Sequence, residues 1–179
     1  MNSDIFFQIL LHSEIKELPN LRLVNREFNH ILNSTYYWKC RFQRDKLHIV
    51  KERDEFVNWL NEYQHVKRTA FYSSAEMMKA YPNHYYQIKA TNIHNIEIFF
   101  VEGVDKVRFQ RQFLSDLIYV NRDEYIVNFR PDGDIYYLEY LKGRFSRPPI
   151  YEVQLTLEAA QRILFLIHYY GNYRMDKIY

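Results

Sequence analysis

Cysteine is nearly absent, with Cys40 alone among 179 residues. A single thiol cannot close an internal disulfide, so nothing points to secretion, where small domains depend on such bridges. Glycine is scarce as well, with only 4. That scarcity argues against collagen-like repeats, disorder and Gly-rich nucleotide-binding loops. No apolar run reaches the ~20 residues that a membrane helix needs. The most apolar stretch, Ile163 to Ile167, is far too short. The amino terminus lacks the basic region and small-residue cleavage site of a signal peptide. Charge of one sign is missing too: the formal net charge is +2. Lys and Arg are spread along the chain rather than clustered, so no nucleic-acid footprint stands out. The expectation is a soluble, intracellular, cytoplasmic protein with no membrane partner.

Aromatics are abundant instead, with 17 Tyr and 13 Phe. The frequent Asn, Tyr, Ile, Lys and Phe are what an AT-rich coding sequence produces, of the kind found in large DNA viruses and protists. The length fits one large domain or two small ones and is enough to bury a core.

The stretch from Asp4 to Phe42 organises the rest. Ile5, Phe6, Ile9 and Leu10 recur at helical spacing and form an apolar stripe. Asp4 falls in the first turn, where a carboxylate meets the positive end of the helix dipole. Phe7 and Leu11, four residues apart, form a second apolar pair on another face. A short helix with two apolar faces has two things to pack against: its own domain and a partner. Leu18, Leu21, Val24, Phe28, Ile31 and Leu32 mark the buried face of a second helix, with Pro19 in its first turn. Arg22, Arg26, Glu27 and Asn29 form its wet face. Asn33 and Ser34 stop it, and Ser34 is placed to cap a third helix carrying Trp38 and Phe42.

This stretch resembles the F-box family. Ile9-Leu10 matches the first apolar pair of the family pattern, and Leu21-Arg22-Leu23-Val24 matches its Leu-rich middle. Arg26, Phe28 and Ile31 fall where a basic residue, a Trp and an apolar residue are common, and Tyr37-Trp38-Lys39 matches the ending. The chain departs from the pattern at three points. Asn2-Ser3 replaces the opening Leu-Pro, Asn25 stands at the usual Cys, and Phe28 stands at the usual Trp. The resemblance implies docking to the adaptor Skp1 of a cullin-type ubiquitin ligase. The residues it implies for partner binding are Ile5, Phe6, Phe7, Ile9, Leu10, Leu11, Leu23, Val24 and Trp38.

Beyond a linker at Lys46 to Val50, Phe56, Trp59, Leu60 and Tyr63 predict a helix over Lys51 to Val66, with Glu52, Asp54 and Glu55 in its first turn. Ser73-Ser74-Ala75-Glu76 reads as a capping box that opens a brief helix, and Pro82 closes it. The period then shifts toward two. Ile96 to Val101, Val107 to Phe113, Leu117 to Val120, Tyr125 to Phe129, Ile135 to Leu141 and Ile150 to Leu155 all read as strands. Arg130-Pro131-Asp132-Gly133 is the best turn. Thr156 is placed to cap a last helix, Leu157 to Tyr170, stopped by Gly171. The fold class is α+β: N-terminal helices, then an antiparallel, β-rich domain closed by a C-terminal helix. Three regions follow: residues 1–45, F-box-like; 46–84, a helical extension or linker; and 85–179, a sheet plus helix that would bind substrate or partner.

Chemistry is thinly signalled. No Cys pair or His-Glu-x-x-His offers a metal site, and Asp132 and Asp134 lack the other ligands of a calcium loop. Cys40 has no base placed beside it by the sequence. His84 and His94 have no positioned partner. Glu97/Glu102 and Asp123/Glu124 lie at strand ends and turns and read as solvated charge. Lys106, Arg108 and Arg111 interleave with Phe109 and Phe113, but a strand splits them between two faces, so nucleic acid is not favoured as a partner. Tyr136, Tyr137, Tyr140 and Tyr151 suit a protein interface and a small core equally. No catalytic residue, cofactor or metal is expected. The chain therefore reads as a non-enzymatic adaptor joining Skp1 to an unidentified protein substrate, or alternatively as a structural interaction protein with no ligase link.

Overall fold

The computed structural model describes residues 2–79, 86–89, 101–109, 111, 125–132, 135–142 and 148–170. The chain divides into two compact units, Met1–Ala70 and Phe71–Tyr179.

The first unit is helical. It contains α1 (Asn2–His12), α2 (Leu18–Val24), α3 (Arg26–Leu32), α4 (Thr35–Arg44) and the first part of α5 (Phe56–Lys79). Where one helix was expected from Leu18 to Leu32, there are two. Asn25 is the reason: its backbone is extended, and its side-chain oxygen accepts the Glu27 N–H at 2.8 Å, which makes it the N-cap of α3. A side chain that captures a backbone donor offers the chain an alternative to continuing the helix. The break carries Val24 out to solvent while Leu18, Phe28, Ile31 and Leu32 stay buried. Ser34 caps α4 as expected, accepting the Tyr37 N–H at 3.2 Å. α4 ends in a Schellman arrangement. The Leu47 N–H bonds to the Phe42 carbonyl, the Lys46 N–H bonds to the Gln43 carbonyl, and Lys46 takes a positive φ of 54°.

The helix expected over Lys51 to Val66, and the separate brief helix after Ser73, are one continuous helix that starts later. Its start is fixed from outside: the Asn33 side-chain oxygen accepts the Phe56 N–H at 3.0 Å, and the Glu55 carbonyl accepts from Trp59. Glu52, Asp54 and Glu55 therefore lie before its first turn rather than in it. Ser73 is buried inside α5, so its capping-box pattern starts nothing. The fit of that pattern to a helix interior outweighs the local signal because Ser, Ala and Glu all tolerate mid-helix positions. Pro82 lies outside the described residues.

The second unit holds an antiparallel sheet in the order β1 (Tyr86–Lys89), β2 (Tyr125–Asp132), β3 (Ile135–Lys142) and β4 (Tyr151–Leu155), followed by α6 (Leu157–Tyr170). β2 and β3 pair antiparallel as expected, with Asp132 opposite Ile135. Pro131 and Asp132 belong to β2 rather than to the turn. β1 pairs only with Ile126 to Phe129, so Pro131 sits past its reach, where a missing N–H is tolerated. β1 itself was not expected. The strands anticipated at 96–101 and 117–120 lie outside the described residues, except for Val101, which sits in a bend.

The strand anticipated at Val107 to Phe113 is a correction: residues 106–109 form a helical turn. Asp105 accepts the Arg108 N–H at 3.0 Å, and its carbonyl accepts from Phe109. An Asx side chain holding a nearby N–H outcompetes the alternating pattern. Phe109 then inserts edge-on against Tyr151, with ring centroids 5.2 Å apart. Gly103, at a φ of 90°, turns the chain just before it.

α6 lies against β3 and β4. Its Ala160, Ile163, Leu164 and Ile167 meet Tyr136, Leu138 and Tyr140 of β3 in one core. Thr156 caps it as expected, accepting the Ala159 N–H at 3.2 Å. Gly171 lies outside the described residues. On the other face of β3, Glu139 is fully buried and takes Arg130 at 2.7 Å, and Arg130 also reaches Glu152 at 3.3 Å and covers the Tyr137 ring at 4.2 Å.

Candidate functional site

The nine residues singled out in the helical stretch separate into three groups. Leu10 and Trp38 are fully buried. Trp38 sits among Tyr37, Phe56, Trp59 and Tyr63 and donates its indole N–H to the Leu32 carbonyl at 2.8 Å. Phe6, Phe7 and Leu11 are half-buried. Phe6 packs edge-on against Phe28 at 5.1 Å, and Phe7 lies 5.6 Å from Tyr36 and 5.8 Å from Tyr37. Ile5, Ile9, Leu23 and Val24 are exposed, at 57%, 45%, 81% and 76%. Isolated exposed aliphatics are ordinary, whereas contiguous exposed apolar patches mark interaction surfaces. The helix α1 therefore does have two apolar sides. The side left open is Ile5 and Ile9, while Phe7 packs against Tyr36 and Tyr37 of α4.

α1 buries little of itself, since Leu10 is its only fully buried side chain among those described. Its C-terminal end is held instead by polar contacts from α4. The Tyr37 hydroxyl donates to the Leu10 carbonyl at 3.0 Å. Arg41 Nη1 donates to the carbonyls of Leu10, Leu11 and Ser13 at 3.2, 2.6 and 2.8 Å, and Arg44 also donates to Leu11. The last carbonyls of a helix lack intrahelical partners and carry its negative partial charge, which suits guanidinium groups. Arg41 is itself buried. Its charge is offset by Asp45, whose Oδ2 lies 3.4 Å from Arg41 Nε, an ion-pair distance without hydrogen-bond alignment.

Asp45 is the hub behind this clamp. It accepts from Arg44 Nε and Nη2 at 2.7 and 3.0 Å and from the Tyr63 hydroxyl of α5. Burial alone would raise the Asp45 carboxyl, yet the Tyr63 hydrogen bond and the guanidiniums of Arg44 and Arg41 hold it below the ordinary carboxylate range. Burial, and then the Asp45 carboxylate, push the Tyr63 hydroxyl up. Burial pushes Tyr37 up to about 12, against the pull of Arg41. Both phenols are therefore neutral donors at physiological pH. Sequence reasoning missed these residues. The signal was available in the spacing of Tyr37, Arg41 and Arg44, which places three donors on one face of α4.

The residues weighed for chemistry do not converge. Cys40 is half-buried on α4 beside Tyr36. His84, His94, Glu97, Asp123, Glu124, Phe113 and Asp134 lie outside the described residues, Glu102 is exposed, and Asp132 lies 3.8 Å from Arg130. Lys106, Arg108 and Arg111 are exposed, with Arg108 against the Tyr151 ring at 5.7 Å. Tyr136, Tyr140 and Tyr151 are core residues, and Tyr137 is half-buried. Among the described residues, no group of three His, Cys, Asp or Glu could hold a metal ion. No described helix is long and apolar enough to cross a membrane.

The first unit is thus a set of short helices with buried aromatics at their centre and exposed aliphatics on α1 and α2. Residues 1–40 match the family model of the F-box domain. Comparison with curated proteins and with solved structures returned no match.

Proposed function

We propose that this chain is an F-box adaptor that docks Skp1 of a cullin-type ubiquitin ligase. The carrying observation is the exposed aliphatic pair Ile5 and Ile9 within the segment that matches the F-box. In this reading, Ile5, Ile9, Leu23 and Val24 contact Skp1, and Phe6, Phe7 and Leu11 form the rim of the contact. Leu10 and Trp38 act from inside, by holding the helices that present it. The unit Phe71–Tyr179 recruits the protein substrate. The adaptor performs no chemistry of its own, and it works by raising the concentration of substrate near the ligase.

Pull-down of the purified chain with Skp1 tests this, using Ile5→Asp/Ile9→Asp as the probe. These side chains are exposed, so the double variant should remain folded and lose binding, because a charge at the centre of an apolar contact must be desolvated without a partner. A folded parent chain that ignores Skp1 overturns the reading, as does a double variant that binds like the parent.

A further inference from the structure

We propose that Tyr37, Arg41 and Arg44 are positioning residues for docking: one face of α4 reads the terminal carbonyls of α1 and so fixes the angle at which Ile5 and Ile9 are presented. This rests on the docking reading above and deepens it.

The burial of α1 is unbalanced. A helix that offers Ile5 and Ile9 to a partner cannot bury them at home, and among its described side chains α1 keeps only Leu10 fully buried. Hydrophobic burial is non-directional and here partial, with Phe6, Phe7 and Leu11 only half-buried, so it leaves the tilt of α1 loosely set. Directional bonds compensate. Three donors of α4 converge on the carbonyls at the end of α1: Tyr37 on Leu10, Arg41 on Leu10, Leu11 and Ser13, and Arg44 on Leu11. Burying a guanidinium is costly unless its bonds and charge are met; here three carbonyls take Arg41 Nη1 and Asp45 offsets the charge, while Nε makes no hydrogen bond. Asp45 in turn is bonded to Tyr63, so the clamp is anchored on α5 as well. A one-ended grip leaves the rest of α1 free to lie against a partner while its direction is set.

A clamp of this kind has a kinetic signature. Without it, α1 samples other tilts, and only the fraction in the right one can dock. Removing a contact residue instead lets the formed complex fall apart faster.

The experiment uses the full chain with Arg41→Gln, Arg41→Lys and Tyr37→Phe, reading amide exchange in the free protein and rate constants with Skp1. Arg41→Gln should speed α1 exchange about tenfold while α3 and α5 stay protected. It should also slow Skp1 association about tenfold with dissociation unchanged, as the competent fraction falls. Arg41→Lys, which keeps the charge and three donors, should recover part of both. Tyr37→Phe removes one hydroxyl without changing shape and should show the same pattern more mildly, which covers the case in which Arg41→Gln fails to fold. Unchanged α1 exchange overturns the proposal, and so does a loss of affinity confined to faster dissociation. If the parent chain does not bind Skp1, the docking reading fails. Exchange alone then decides the clamp, upheld by faster α1 exchange and overturned by none.

Discussion

Trp38 and Trp59 stack in the first unit with ring centroids 6.1 Å apart and planes within 8° of parallel. One comes from the end of the segment that matches the F-box model and the other from α5, a helix outside those 40 residues. The core of the matching segment is thus completed by a downstream helix, with Phe42 and Tyr63 meeting edge-on at 5.4 Å beside the stack. Offset stacking of this kind adds to the area that two large rings remove from water.

The two tryptophans differ in one respect that mutation should expose. Trp38 donates its indole N–H to Leu32, whereas the buried indole N–H of Trp59 has no hydrogen-bond partner among the described residues. Trp59→Phe removes an unsatisfied donor, while Trp38→Phe orphans a carbonyl. In urea titrations, Trp38→Phe should therefore cost more, by about 1 kcal/mol. Either residue changed to Ala should cost about 3–5 kcal/mol, from lost burial and the cavity left behind. Equal losses for the two Phe variants would contradict the difference in bonding.

A peptide of residues 1–40 should not fold cooperatively. Its Trp38 would lose Phe56, Trp59 and Tyr63 at once. Near-ultraviolet circular dichroism should be flat for the peptide and structured for the whole chain. A cooperative melt of the peptide would show that α5 is dispensable.

Lys46 occupies the left-handed position after α4, where a Cβ is crowded. Lys46→Gly should therefore stabilise the chain, by about 0.5–1 kcal/mol once the extra freedom glycine brings to the unfolded chain is set against the relief. The check is the shift in denaturation midpoint. A lower midpoint would mean that the Lys46 side chain makes a contact worth more than the strain.

Acid should loosen the clamp. Asp45 has a folded-state pKa below its unfolded value, so its contribution is present above the ordinary carboxylate range and lost as pH falls through the folded pKa. The groups facing it are Arg41, Arg44 and Tyr63. Asp45→Asn should thus flatten the acid limb of the stability profile, with its deficit against the parent largest near neutrality and shrinking toward low pH. A deficit constant with pH would rule out the carboxylate as its cause.

Local pattern carried much of this protein. Apolar spacing marked α1 and the core face of α3, and Ser34 and Thr156 announced the starts of α4 and α6. Alternation found β2, β3 and β4. These elements were legible because each is specified by residues a few positions apart, through helical or strand period and side-chain capping. The family resemblance, too, was written in residues, from Ile9-Leu10 to Trp38. What the sequence could not decide was which apolar residues stay in water. Ile5 and Leu10 share one helical stripe, yet Leu10 is buried and Ile5 is open, because exposure depends on what α3 and α4 cover. Asn25, Asp105 and Asn33 turned on single side-chain hydrogen bonds that either compete with the local period or reach 23 residues along the chain. The clamp of Arg41 on α1 spans some thirty residues, from 28 to 31 apart in sequence. Such bonds form only after the helices have met, so tertiary packing, not periodicity, set the face that the docking helix shows.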